Sequence, residues 1–277
     1  MSELEQHPLD AAIALSETAP GRYTARTHPG YANAVGPFGG ATAALLLNAA
    51  LQHPQRLGEP ISQTVHFAAP IDDQPIQVDA HPVRTNRSTQ HWLVQAFQHG
   101  QLVAMCTAVF ALRRDTWSAT DLRFPENLPA PADVPPMSWS RRPEFTRRYD
   151  LRYIHGMVAL DQIDTDNPPE RPDAESALWV RDEPPRPLDF AALASICDVF
   201  FPRVFIRRQR WTPIGTVTMT SYFHADSQTL AAVGTAHVLG CARGNGYWNG
   251  FFDQSAEVWS AEGQLLATTH QMVYFKD

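Results

Sequence analysis

Residues 100–110 read GQLVAMCTAVF and residues 263–275 read GQLLATTHQMVYF. Each has the form of a turn at glycine followed by a strand. Gly100 and Gly263 stand 163 residues apart. A second pair of strand-like stretches precedes them, ISQTVHFAAP at 61–70 and VTMTSYFHAD at 217–226, with Phe67 and Phe223 offset by 156. Before each comes an apolar helical stretch, GPFGGATAALLLNAALQH at 36–53 and PLDFAALASICDVFFP at 187–202, with Phe38 and Phe190 offset by 152. Apolar strands resemble one another by chance, but here order and spacing agree as well as residue type. A steadily growing offset is what inserted loop residues produce. The chain therefore reads as one structural unit used twice.

The strands alternate with period two. In TVTMTSYFH, Val217, Met219, Ser221 and Phe223 fall on one face, and Thr216, Thr218, Thr220, Tyr222 and His224 on the other. The helical stretches are apolar nearly all round, which predicts helices enclosed by their surroundings. A curved antiparallel sheet wrapped about one buried helix satisfies both patterns. The expected division is a first repeat over 1–115, a proline-rich linker over 116–143 and a second repeat over 144–277. Twelve of the 23 prolines fall between Asp115 and Pro187, so that region reads as loop-rich. Within it, 145–155 and 176–181 alternate well enough to be strands.

A formal net charge of −7 argues against a nucleic-acid partner. No apolar run approaches the roughly 20 residues that span a bilayer, and the acidic start MSELEQHPLDAAIAL lacks a basic signal region. A cytoplasmic location and no membrane partner are expected. Cys106, Cys197 and Cys241 share no ligand-like spacing and read as small buried hydrophobes.

Two features carry chemistry. Gly39 and Gly40 lie in the first turn of the first helix, where each costs roughly 1 kcal/mol against alanine. They let a ligand, or simply another backbone, come close to the free N–H groups at a helix start. Asp198 is the lone carboxylate of FAALASICDVFF. A buried carboxylate needs a partner or has its pKa raised. It fits a poised base, or a structural acid reaching Arg203 or Arg207. The position matching Asp198 in the first helix is Leu46, so only one of two equivalent pockets would be charged.

GPFGGATAALLL, SQTVHFAAP and RTNRSTQHWLVQAFQHGQLVAMCTAVF, in that order, resemble the first half of the acyl-CoA thioesterase II family. RPLDFAALASICDVFFP, GTVTMTSYFHAD and GQLLATTHQMVYF resemble its catalytic half. The resemblance implies an α+β tandem (double) hotdog, two antiparallel sheets each wrapped around a central helix. It implies hydrolysis of acyl-CoA to a free acid and coenzyme A, with Asp198, Thr216 and Gln271 holding the water. It also implies a homo-oligomer, and neither metal nor other cofactor. The segment between Asp198 and Thr216 is shorter than usual for the family. A helix-start N–H at Gly39 or Gly40 would hold the oxyanion. Arg84, Arg87, Arg113, Arg114, Arg207, Arg208 and Arg210 are candidates for the coenzyme A phosphates, none assigned. No Gly-x-Ser-x-Gly elbow is present. Two alternatives stay open. One is a hotdog enoyl-CoA hydratase, whose acid–histidine marker is only partly matched by DTDNPPERP at 164–172. The other is a non-catalytic acyl-binding module.

Overall fold

A computed structural model describes residues 6–138, 142–158 and 169–276. The first half runs α1 (Pro8–Ala12), β1 (Ser16–Ala19), β2 (Arg22–Ala25), α2 (Gly39–Leu51), β3 (Glu59–Phe67), β4 (Ile76–Thr85), β5 (Thr89–Gln98) and β6 (Gln101–Ala111). The second runs β7 (Tyr149–His155), β8 (Ser176–Asp182), α3 (Phe190–Ile196), α4 (Arg203–Arg208), β9 (Ile214–Phe223), α5 (Ser227–Val233), β10 (Val238–Trp248), β11 (Phe251–Trp259) and β12 (Leu265–Phe275). The repeat is thus structural, a strand pair, a helix and four strands used twice. The second copy adds α4 and α5, which accounts for the growing offset.

All twelve strands join in one antiparallel sheet, ordered β1-β2-β4-β5-β6-β3-β9-β12-β11-β10-β8-β7. The order is the same read from either end once each strand is replaced by its repeat partner. The two expected sheets are therefore continuous, joined where β3 pairs with β9 from Ser62↔Tyr222 to His66↔Thr218. At this seam the Thr64 and Thr220 hydroxyls lie 3.0 Å apart. Arg113 donates from Nη2 to the carbonyls of Pro60, Phe223 and Ala225 at 2.9–3.0 Å.

Helices α2 and α3 lie against each other inside the sheet. Eleven of the thirteen α2 residues and all seven of α3 are buried, as the all-round apolar patterns require. One core runs through both halves, from Leu46 and Leu47 to Leu193 and Phe223. The stretch expected as a strand over 145–155 opens instead as a 3-10 turn, Glu144–Arg148, before β7. The proline-rich segment lies on the second half: Pro129 O accepts from the Trp179 indole N–H at 3.0 Å, and Val134 packs with Trp179, Leu239 and Trp259. Among the described residues no helix is long and apolar enough to cross a membrane.

Candidate active site

Helix α3 starts on Asp189, whose side chain accepts the Ala192 N–H at 2.8 Å. It ends at Ile196, earlier than the sequence pattern suggests. The Asp198 N–H turns to Ser195 O and the Val199 N–H to Ile196 O, both at 3.2 Å. These are tight i→i−3 closures that unwind the helix. Asp198 therefore sits in the turn just past the helix and not within it. The expectation of an intrahelical aspartate is corrected accordingly. A carboxylate opposes the negative end of a helix dipole, and leaving the helix lets it face a positive end instead.

That positive end is the start of α2. A Cβ built on Gly39 would stand 2.7 Å from Asp198 Oδ2, and one on Gly40 would stand 2.5 Å from Ser195 O. The glycines are thus required by the close approach of α3's last turn to α2's first. The Gly40 backbone N–H also acts on the carboxylate, favouring its charged form.

Gln271, buried on β12, donates from Nε2 to Asp198 Oδ1 at 2.8 Å. Asp198 keeps some accessible surface, yet protein atoms crowd it closely. Burial pushes its pKa from 3.8 up to about 7, against the opposing pull of the Gln271 and Gly40 bonds. The accessible part is what a water or a substrate can touch.

Thr216 reaches this face through an irregularity in β9. Met272 pairs with Thr218, but Val273 pairs with Thr216, so Val217 is an extra, bulged residue. Directly paired residues share a face, so Thr216 lies on the face of Val273 and Gln271. The strict alternation expected from sequence, with Val217 on the face of Met219 and Thr216 on the opposite one, fails at this point, and Val217 is 38 % exposed. Asp198 and Gln271 are bonded to each other. Thr216 shares their face without a direct hydrogen bond to either among the described residues.

The alternative partners of Asp198 are engaged elsewhere. Arg203 is fully buried and donates to the carbonyls of Phe201, Ala174 and Ala242 and to Ser176 Oγ. Arg207 pairs with Glu170 at 3.8 Å. Of the arginines considered for phosphates, Arg113 is committed to the seam and Arg84 donates to Asn86 Oδ1. All three cysteines are free. Burial raises the Cys197 thiol to about 12, so it is no thiolate nucleophile at neutral pH. Of the stretch 164–172, residues 164–168 lie outside the described residues. Among the described residues no cluster of His, Cys, Asp and Glu is arranged to hold a metal ion.

Sequence reasoning missed Tyr149, whose hydroxyl lies 2.7 Å from Ser195 Oγ, and Ser221, a buried hydroxyl that acts on Cys197. No local signal marks Tyr149. Its strand lies about 50 residues before the aspartate and meets it only in the fold.

Comparison with known proteins gives a consistent picture. The solved hot dog fold protein from Alicyclobacillus acidocaldarius is 47 % identical over 98 % of this chain and 99 % of that one, with a TM-score of 0.91. Acyl-CoA thioesterase II TesB2 from Mycobacterium marinum has a TM-score of 0.76 at 18 % identity, covering 97 % and 98 % of the two chains. The tesB protein of Mycobacterium avium subsp. paratuberculosis gives 0.78 at 19 % identity, again over 97 % and 98 %. No curated protein matches. The family model of the acyl-CoA thioesterase N-terminal domain matches residues 27–111, and that of the C-terminal domain matches residues 125–275. With both halves matched in order across the tandem hotdog, the chain belongs to the acyl-CoA thioesterase family.

Proposed function

We propose that this protein hydrolyses acyl-CoA thioesters, with Asp198 as general base. The observation that carries the reading is the 2.8 Å bond from Gln271 to a carboxylate whose pKa lies near 7, beside the start of α2. A base of that pKa is half-ionised at working pH, where proton transfer is most effective. Asp198 takes a proton from water as the water oxygen attacks the thioester carbonyl. The tetrahedral oxyanion collapses, the C–S bond breaks, and the proton passes to the departing thiolate. Acid and thiol are the products, with atoms and charge balanced.

Gln271 and Thr216 orient the water, and Gln271 also fixes the carboxylate. Gly40 N–H is engaged with Asp198, so the Gly39 N–H is the donor we assign to the oxyanion. The reaction as written uses only water and these groups, and a chelator is expected to leave it unchanged. We also read the protein as a cytoplasmic homo-oligomer that binds neither nucleic acid nor membrane. Light scattering and cell fractionation check these points.

The test is a panel of acyl-CoA thioesters with thiol release read by a thiol reagent, on wild type and Asp198→Asn. Turnover by wild type that falls at least 100-fold in the variant supports the reading. Wild-type turnover that the variant retains removes Asp198 as base. Loss of crotonyl-CoA absorbance without thiol release points to the hydratase. Binding with no reaction points to an acyl-binding module.

A further inference from the structure

Asp198 is braced from behind by a contact that the hydrolytic scheme does not use. The Tyr149 hydroxyl and Ser195 Oγ are 2.7 Å apart, and both side chains are buried. The Ser195 carbonyl accepts the Asp198 N–H at 3.2 Å, and Gly40 leaves room for that same oxygen. The Tyr149 ring also meets Phe38, the residue just before α2, at 6.1 Å in an edge-on arrangement. A single side chain from β7, the outermost strand of the sheet, therefore touches both helix ends that enclose the carboxylate.

Other polar groups stand round this tyrosine. Asp182 is its paired residue across β7–β8 and is buried. The Tyr31 ring sits edge-on to Tyr149 at 6.3 Å. The ionisable groups that face the Tyr149 phenol are Tyr31, Asp182 and Asp198. Burial first, then these neighbours, hold the phenol well above its ordinary pKa, so it stays neutral across the working range. The Tyr149–Ser195 bond is then a fixed brace and not a pH switch.

We propose that Tyr149 is a positioning residue for Asp198, acting through Ser195 to fix the turn after α3 against the start of α2. The inference rests on Asp198 being the working base. A carboxylate displaced by a fraction of an ångström from its water loses rate while substrate binding is kept. Loosening the turn also lets water reach the carboxylate, which lowers its pKa toward the ordinary carboxylate value.

The test compares wild type, Tyr149→Phe, Ser195→Ala and the double variant. On the best acyl-CoA substrate, each single variant is expected to lose about 10-fold in kcat, with KM within about twofold. The double variant should be no slower than the slower single, because the pair acts as one unit. The acid limb of the kcat profile should move to lower pH. A role confined to folding would lower Tm and the yield of folded protein, leaving kcat per folded molecule and the acid limb in place; that result overturns the proposal. Ser195→Ala, a change favourable to helix, keeps the test open should Tyr149→Phe not fold. A wild type that hydrolyses no thioester sinks the hydrolytic reading instead. The brace is then read in the resting protein, from the Asp198 carboxyl titration by isotope-edited infrared spectroscopy. A titration unchanged in both variants overturns it.

Discussion

At the scale of single residues, Asp198, the base we propose, carries a cost in stability. An unfolded aspartate ionises near 4, whereas burial holds this one protonated until about 7. Below pH 4 both states are protonated and no penalty exists. Between 4 and 7 the unfolded chain releases its proton first, so stability falls as pH rises and levels off above 7. On the proposed mechanism activity runs the other way: kcat should climb through pH 7 as Asp198 ionises. Asp198→Asn should separate the two, abolishing the climb while raising Tm at pH 8 above that of wild type. Thermal scans at pH 5 and pH 8 check this, and an equal effect at both would contradict the assigned pKa. Gly39→Ala addresses the same contact sterically. Its Cβ would lie 2.7 Å from Oδ2, closer than a carboxylate tolerates, so the carboxyl must shift. A kcat loss of about 10-fold or more, with fold retained by circular dichroism, is the expected result. The glycines and the aspartate were legible in the sequence as exceptions to helix propensity. That they need each other was not, because the contact joins residues about 160 positions apart.

At the scale of elements, most helices and strands follow from periodicity, and the misses have physical causes. The apolar stretch 187–202 contains no proline or glycine between Leu188 and Phe201 to mark where α3 stops. The stop comes from tertiary contact, as α3's last turn meets α2. The bulge at Val217 is likewise invisible in an alternating sequence, since its evidence is the register with β12. Arg203 is the plainest case. Read locally, it is a cation five residues from an aspartate. In the fold it points away and gathers carbonyls that lie just before α4, just before β8 and within β10. Burial lowers its pKa to about 10, and the nearby phenols of Tyr153 and Tyr247 partly oppose this, so it stays charged at neutral pH. Replacing it by methionine keeps the length but strands several buried acceptors, at about 1–3 kcal/mol each. We expect Arg203→Met to destabilise by about 3 kcal/mol or more in urea unfolding, with Asp198 chemistry little changed in whatever protein remains folded.

At the scale of the whole molecule, duplication was legible and its consequence was not. Matching helices and strands predicted two wrapped sheets, but no residue pattern announced that β3 and β9 would pair. Their edges carry Thr64 and Thr220, threonines ordinary enough for any strand, and the bond between them appears only when the copies meet. The seam makes each half incomplete alone. A first repeat cut at residue 115 would expose β3 as an edge with its ladder groups unpaired. It would also uncover the side of α2 that rests on α3 and leave Arg113 without the carbonyls of Phe223 and Ala225. The candidate site is divided by the same cut, since Gly39 and Gly40 belong to one half and Asp198, Thr216 and Gln271 to the other. The fragment 1–115 should therefore self-associate through β3 or fail to fold cooperatively, as sedimentation and circular dichroism would record. Co-expressed with 116–277, it should co-purify as a one-to-one complex and restore thiol release that neither piece shows alone. A monomeric fragment with a cooperative melt would mean that the seam joins two finished domains. Hydrolysis by 116–277 alone would mean that the start of α2 takes no part in the chemistry.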